Sequence, residues 1–103
     1  MKNIIFPEKL QQLESFSERF DAFRLQANNC DVLFAMYPAG THVEPHSHIT
    51  DNYGVITRGC LYLTIDGQET AYHTGDWYHV ARQVEHSARF DEDTEEIEFW
   101  FKE

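Results

Sequence analysis

Short runs of alternating apolar and polar residues, divided by turn-forming residues, constrain the fold of this chain more than any other feature. In residues 60–65 every second side chain is aliphatic, which is the period-two pattern of a β-strand with one buried face. Asp66-Gly67 follows, a pair typical of a tight hairpin turn, and residues 68–73 supply the predicted return strand. These signals predict an antiparallel β protein.

Other segments extend this pattern. Residues 30–37 are apolar on both faces, which predicts a strand covered from two sides, and residues 77–80 predict a further strand after the Thr74-Gly75-Asp76 turn. The one helix signal is short and spans Pro7 to Leu13. Many short strands with regular turns are typical of an all-β sandwich or small barrel.

Residues 95–101 predict the last strand. Its aromatic and aliphatic members Ile97, Phe99 and Phe101 are expected to face inward, as apolar residues usually do. The alternate residues Glu96, Glu98 and Trp100 are then expected to face outward. With Asp91, Glu92, Asp93 and Glu95, these glutamates predict a solvated acidic loop and strand face.

Composition narrows the class of protein. A chain of 103 residues is the size of one domain, and its formal net charge of -10 disfavours nucleic acid and anionic membranes as partners. Cys30 and Cys60 lack metal-motif spacing and are expected to be free thiols. Residues 1–7 show no signal-peptide pattern, so we expect a cytoplasmic protein.

The segment His46-Ser47-His48 carries the clearest chemistry. Two imidazoles at positions i and i+2 of an extended segment point to the same side and offer two nitrogens to one metal ion. His86 follows Gly75-Asp76 at a distance along the chain that could return it to the same place. Divalent transition metals such as Zn, Fe, Ni or Mn accept such ligands.

These residues resemble the cupin superfamily. Gly40, His46, His48, Asn52 and Gly59 follow the spacing of the first cupin motif, glycine-x5-His-x-His-x3-Glu-x6-glycine. Gly75-Asp76 with His86 is similar to the second motif. The resemblance covers about residues 30–101 and implies one cupin domain over 1–103, with residues 1–29 packing on the barrel. It implies a jelly-roll (double-stranded β-helix) of two antiparallel sheets, with a metal inside near one mouth.

Two departures from the cupin pattern bear on the site. Ala81 and Gln83 replace the usual proline and glycine of the loop before His86. Asn52 stands where most members carry glutamate, and it is expected either to bind the metal as a fourth ligand or to orient the other ligands. A neutral amide leaves the metal its full charge, which should attract anionic ligands.

The resemblance leaves the activity open, because one fold hosts many functions. The first hypothesis is a small metalloenzyme, of dioxygenase, isomerase or lyase type, acting on a small oxygen-rich organic molecule. The alternatives are a non-catalytic ligand-binding or sensor domain and a structural barrel with a vestigial site. The predicted acid–base candidates are Glu44, His42, His79 and Tyr53. Sequence does not decide which face of residues 77–80 looks into the barrel.

Outward aromatic residues predict the assembly. Tyr62 and Trp100 fall on outer faces by alternation, and exposed aromatic side chains on a small barrel favour sheet-to-sheet packing. We therefore expect a homodimer that binds a small-molecule ligand or substrate.

Overall fold

The computed structural model describes residue 6, residues 8–17 and residues 20–102, and it contains two antiparallel β-sheets. The six-stranded sheet has the order β1-β2-β3-β10-β5-β8, and the four-stranded sheet has the order β4-β9-β6-β7. This architecture confirms the predicted all-β jelly roll. The elements are α1 (Glu8–Gln11), β1 (Glu14–Ser15), β2 (Asp21–Ala27), β3 (Cys30–Tyr37), β4 (His42–His46), β5 (Asp51–Arg58), β6 (Cys60–Ile65), β7 (Gln68–His73), β8 (Trp77–Val80), β9 (His86–Arg89) and β10 (Thr94–Phe101).

The β6–β7 hairpin forms where the sequence predicted it. Ile65 pairs with Gln68 across a two-residue turn. Asp66 and Gly67 have φ values of 52° and 75°, the left-handed conformation that this type of turn requires at both positions. Aspartate and glycine adopt it at low cost, so local chemistry fixes the pairing register here.

Strand β10 lies between β3 and β5, at the centre of the six-stranded sheet, and its predicted orientation is wrong. Glu96, Glu98 and Trp100 point into the barrel, where Glu96 is 1 % exposed and Glu98 is 6 % exposed. Phe99 instead stacks on Trp77, which is 59 % exposed on the outer face. The rule that apolar residues face inward fails because the cavity wall includes hydrogen-bonded glutamates and the outer face of the sheet carries apolar side chains.

The space between the sheets is filled from both sides. Its buried cluster is mostly aliphatic and aromatic, and Tyr37 stacks on Phe90 at a ring-centroid distance of 4.3 Å. Burial of these side chains supplies the main driving force for closing the two sheets on each other. The members of the cluster are Ala22, Ala35, Tyr37, Ile56, Leu61, Leu63, Val80 and Phe90.

The predicted helix, the two cysteines and the segment before β3 each have a defined place in the structure. Helix α1 lies inside the predicted helical segment, while Pro7 lies outside the described residues. Cys30 and Cys60 are buried free thiols, as expected, and Cys60 is 3 % exposed. Strand β2 pairs with β3, and Phe6 packs edge-on against Phe34 at 6.0 Å. In the described part of the chain, no helix has the length and apolar character needed to cross a membrane.

Candidate metal centre

Three histidines converge at one end of the barrel. His46 ends β4 and pairs across the sheet with His86, the first residue of β9, and His48 follows two residues after His46. One ligand nitrogen from each histidine lies within 4.8 Å of the other two. The structure therefore brings together three of the four residues predicted as metal ligands in an arrangement that one ion can bridge.

Backbone carbonyls orient two of these rings. His46 Nδ1 lies 2.7 Å from the Glu44 carbonyl oxygen, and His86 Nδ1 lies 3.0 Å from that of Val84. Because a carbonyl only accepts hydrogen bonds, each Nδ1 carries the proton and donates it. Each Nε2 then keeps its lone pair, the form in which histidine binds a metal.

The third ring faces the first. His46 Nε2 lies 3.0 Å from His48 Nε2. With Nδ1 of His46 protonated, its Nε2 offers a lone pair toward His48. A cation placed between nitrogens of this kind satisfies both lone pairs at once, so the donor chemistry fits a transition metal.

His48 and His86 both have a lowered pKa, which favours their neutral form. Burial, followed by the nearby His46 and His86, lowers the pKa of His48 from 6.5 to about 4. Burial also lowers the pKa of His86, against the opposing effect of the Val84 carbonyl. Metal binding requires deprotonated imidazole, so protons compete weakly for these two side chains.

The loop before His86 compensates for its missing glycine. Gln83 has a φ of 63°, the left-handed conformation that glycine adopts most readily. Its backbone N–H donates a hydrogen bond of 2.8 Å to the carbonyl of His48. This bond ties the loop that precedes His86 directly to the segment that carries His48.

Asn52 lines the cavity beside the histidines and is 7 % exposed. Its Oδ1 accepts a hydrogen bond of 2.6 Å from the Thr50 hydroxyl. An amide oxygen has two lone pairs, so one remains after this bond. Asn52 as a metal ligand or an orienting partner stays a prediction.

The barrel encloses a cavity of about 180 Å³ with the histidines on its wall. Most of the wall is aliphatic or aromatic. The polar groups on it are few and converge, which is the usual character of a small-molecule site. Besides the histidines, they belong to Tyr37, Asn52, Tyr78, Glu96, Glu98 and Trp100.

Two buried glutamates organise this polar part of the wall. Glu98 accepts hydrogen bonds from the Tyr37 hydroxyl at 2.5 Å and from Trp100 Nε1 at 2.9 Å. Glu96 accepts one of 2.5 Å from the Tyr78 hydroxyl and also shares a hydrogen bond with Glu98. Sequence reasoning missed these residues. The available signal was the regular alternation of glutamate with large apolar residues in β10, which fits either orientation of the strand.

Burial sets the protonation of this network. It raises the pKa of Glu96 well above its usual value, and the charge of Glu98 adds to the effect. Burial and the two carboxyl groups likewise raise the pKa of Tyr37 and Tyr78 well above 10. Both phenols therefore remain protonated near neutral pH, and the Glu96 carboxyl keeps its proton to a higher pH than an exposed glutamate does.

The four acid–base candidates named from the sequence do not line this cavity. His42 and Glu44 are exposed, and Tyr53 is 39 % exposed. His79 stacks on Tyr53 at 4.2 Å and contacts Asp51 at 2.6 Å. The physical reason for Tyr53 is alternation, because its neighbour Asn52 points into the barrel.

Comparisons with known proteins agree with this architecture. An RmlC-like cupin from Shewanella frigidimarina has a TM-score of 0.81 and 16 % identity, over 100 % of this chain and 93 % of that one. KdgF from Halomonas sp. has a TM-score of 0.77 and 15 % identity, over 95 % and 94 %. A mutant salicylate 1,2-dioxygenase from Pseudoaminobacter salicylatoxidans has a TM-score of 0.75 and 17 % identity, over 91 % and 29 %.

At these identities the structural likeness shows the fold alone. The search of curated proteins found no match. The family model described as the cupin domain matches residues 33–101, which include the three histidines and the two glutamates that line the cavity. The chain belongs to the cupin family.

Proposed function

We propose that this protein binds one divalent transition metal ion through His46, His48 and His86 and acts as a small metalloenzyme. The observation that carries the proposal is the convergence of three ligand nitrogens within 4.8 Å. Three imidazole ligands suit Zn, Fe, Ni or Mn, and three protein ligands leave coordination positions for a small molecule. A bound metal would polarise an oxygen of that molecule or activate a water.

The cavity wall favours an enzyme over a binding domain. Burying carboxyl groups costs free energy unless they are paired and hydrogen-bonded, and a domain that only holds a ligand has no need of them. Glu96 and Glu98, with Tyr37 and Tyr78, supply groups able to hold or move protons beside the histidines. One structural relative is named a salicylate dioxygenase, so in that protein this fold carries chemistry on a small oxygen-bearing molecule.

Elemental analysis of the protein purified without a histidine tag tests the metal centre. We expect close to one metal ion per chain in the wild type and at least tenfold weaker binding in His48→Ala and His86→Ala. His73→Ala is the matched control because His73 is exposed at the end of β7. Equal metal content and equal response to a chelator in all four proteins would refute the proposal.

We also propose that the protein forms a homodimer through the outer face of the six-stranded sheet. Leu25, Tyr53, Trp77 and Phe101 are between 37 % and 59 % exposed, and they lie on strands of this one sheet. A chain of net charge -10 that gathers exposed apolar rings on one face has the composition of an interface core.

The cytoplasmic location also stays a prediction. The free thiols of Cys30 and Cys60 are consistent with it.

Sedimentation velocity tests the dimer with one charged substitution. Trp77→Glu should convert a dimer to a monomer, because it replaces the most exposed aromatic side chain of this face with a carboxylate. Ile49→Glu is the matched control, since Ile49 is 76 % exposed but lies in a loop outside the sheet. A wild type that sediments as a monomer at high concentration would contradict the proposal.

A further inference from the structure

Glu96 and Glu98 sit two residues apart on β10, on the strand face that lines the cavity. They are 1 % and 6 % exposed, and their carboxyl groups share a hydrogen bond. Two full negative charges in direct contact cannot both persist out of water, so such a pair retains one proton. The pair is therefore one carboxylic acid and one carboxylate.

The neighbouring donors distinguish the two carboxyl groups. Glu98 receives hydrogen bonds from Tyr37 and Trp100, in addition to the one it shares with Glu96. Glu96 receives one from Tyr78. More donors stabilise a negative charge better, so the carboxylate is Glu98 and the acid is Glu96.

The surroundings give an independent reason to expect a ligand against this pair. The glutamates share their cavity of about 180 Å³ with the three histidines, and Trp100 contacts both groups. An apolar protein cavity of about 150 Å³ accommodates benzene, so the volume suits a molecule of about that size. Among the described side chains that line the cavity, none is lysine or arginine. The carboxylate would repel an anionic ligand beside the glutamates, and no cationic side chain of the described wall offsets it, so this part of the cavity favours an uncharged molecule. The expected attraction for anions concerns the side of the cavity next to the metal.

We propose, resting on the metalloenzyme function above, that Glu96 and Glu98 are the proton-transfer pair of this cavity and that their substrate is an uncharged, ring-sized ketone. The Glu98 carboxylate removes a proton from the carbon next to the carbonyl, and the C–H electron pair forms a C=C bond. The carbonyl π-electrons move to oxygen, which takes the proton of Glu96. The product is the enol, and no other reactant is needed.

The shared hydrogen bond completes the cycle. After the step, Glu98 holds a proton and Glu96 is the carboxylate. Transfer of one proton from Glu98 to Glu96 along their hydrogen bond restores the starting state. The arrangement thus suits an isomerase, in which a proton is moved within one molecule.

Hydrogen–deuterium exchange at the carbon beside the carbonyl of cyclohexanone tests the proposal. Metal-loaded wild type in D₂O should accelerate the exchange, followed by NMR, above the rate without protein. Glu98→Gln and Glu96→Gln should each lower the protein-dependent rate by about 10²-fold or more while keeping their metal. Glu95→Gln is the matched control, because Glu95 is buried in the same strand but does not line the cavity. Its rate should remain within about twofold of wild type, as expected of a group that exchanges no proton with the ligand.

Two results would overturn the proposal. They are an exchange rate in Glu98→Gln equal to that of the wild type, and a wild-type rate equal to that without protein. Infrared spectra of the metal-free protein separate this failure from failure of the metal centre. We expect a carboxylic acid C=O band at neutral pH that disappears in Glu96→Gln and persists in Glu95→Gln. A missing band would refute the proposed acid–carboxylate pair even if the metal centre is correct. Metal analysis of the same samples tests the metal centre separately.

Discussion

The indole nitrogen of Trp100 donates a hydrogen bond of 2.9 Å to Glu98. The ring of the same residue lies 4.5 Å from the ring of His48, measured between centroids. One rigid side chain therefore contacts both the histidine cluster and the buried carboxyl pair. An indole has only two side-chain torsions, so the position of Glu98 relative to His48 is held with little freedom.

Trp100→Phe should separate the two contacts of this indole. The phenyl ring can keep packing against His48, so metal affinity should stay within about threefold, whereas losing the N–H removes a hydrogen bond to a charged group worth about 1.5–3 kcal/mol. We expect the free energy of unfolding, measured with urea, to fall by about that amount. Trp77→Phe is the control, because Trp77 is exposed on the outer face. An equal effect of the two substitutions would argue against a special role for the Trp100 N–H.

Asn52 should influence metal binding whether it is a ligand or an orienting partner. We expect Asn52→Ala to weaken metal affinity by about tenfold or more, measured by competition with a chromophoric chelator. Asn52→Glu introduces the carboxylate common in this motif and should tighten binding, because it adds negative charge beside the cation. Unchanged affinity in both variants would make Asn52 a bystander of the metal centre.

The lowered pKa of His48 predicts how the metal-free protein responds to acid. Between pH 6.5 and about 4, the unfolded chain binds a proton at His48 that the folded chain does not. The contribution of this residue to stability is therefore present above 6.5 and lost as the pH falls toward 4. The unfolding free energy of wild type should decline over this window relative to His48→Gln. His73→Gln, at an exposed histidine, should instead track wild type more closely.

Glu96 should make stability depend on pH in the opposite direction to His48. Its folded pKa lies well above the 4.5 of an unperturbed glutamate, so the folded chain retains a proton that the unfolded chain releases as the pH rises past 4.5. Stability from this group is present at low pH and is lost with rising pH. Glu96→Gln cannot titrate, so its stability relative to wild type should improve as the pH rises. A flat difference between the two proteins, like that expected for exposed Glu92→Gln, would contradict the assignment of Glu96 as the acid.

Sequence predicted those parts of the fold that local chemistry decides. The hairpin at Asp66-Gly67 was predictable because only a few residue pairs accept two left-handed positions in succession. Strands β3, β7 and β8 have the predicted bounds because turn residues flank them. His46, His48 and His86 meet as expected because their spacing resembles a known motif and the strands β4 and β9 pair.

The interior of the cavity was not predictable in the same way. The orientation of β10 depends on which of its faces is enclosed, and both faces carry large side chains. Glu98 is tolerated inside because it accepts hydrogen bonds from Trp100 Nε1 and from the hydroxyl of Tyr37, 61 residues earlier in the chain. Such a contact forms only in the closed barrel, and the periodicity of the sequence does not reveal it.

The orientation of β10 also ties two properties of the protein to one strand. Residues 96, 98 and 100 line the cavity, while the residues between them cover the outer apolar face. An irregularity in the pairing with β5 falls between Glu95 and Glu96, just before this alternation begins. Inserting or deleting one residue after that point would send phenyl rings into the cavity and carboxylates to the outer face. Evolution can therefore replace single side chains of β10, but it cannot lengthen or shorten this strand by one residue without losing the cavity and the outer surface together.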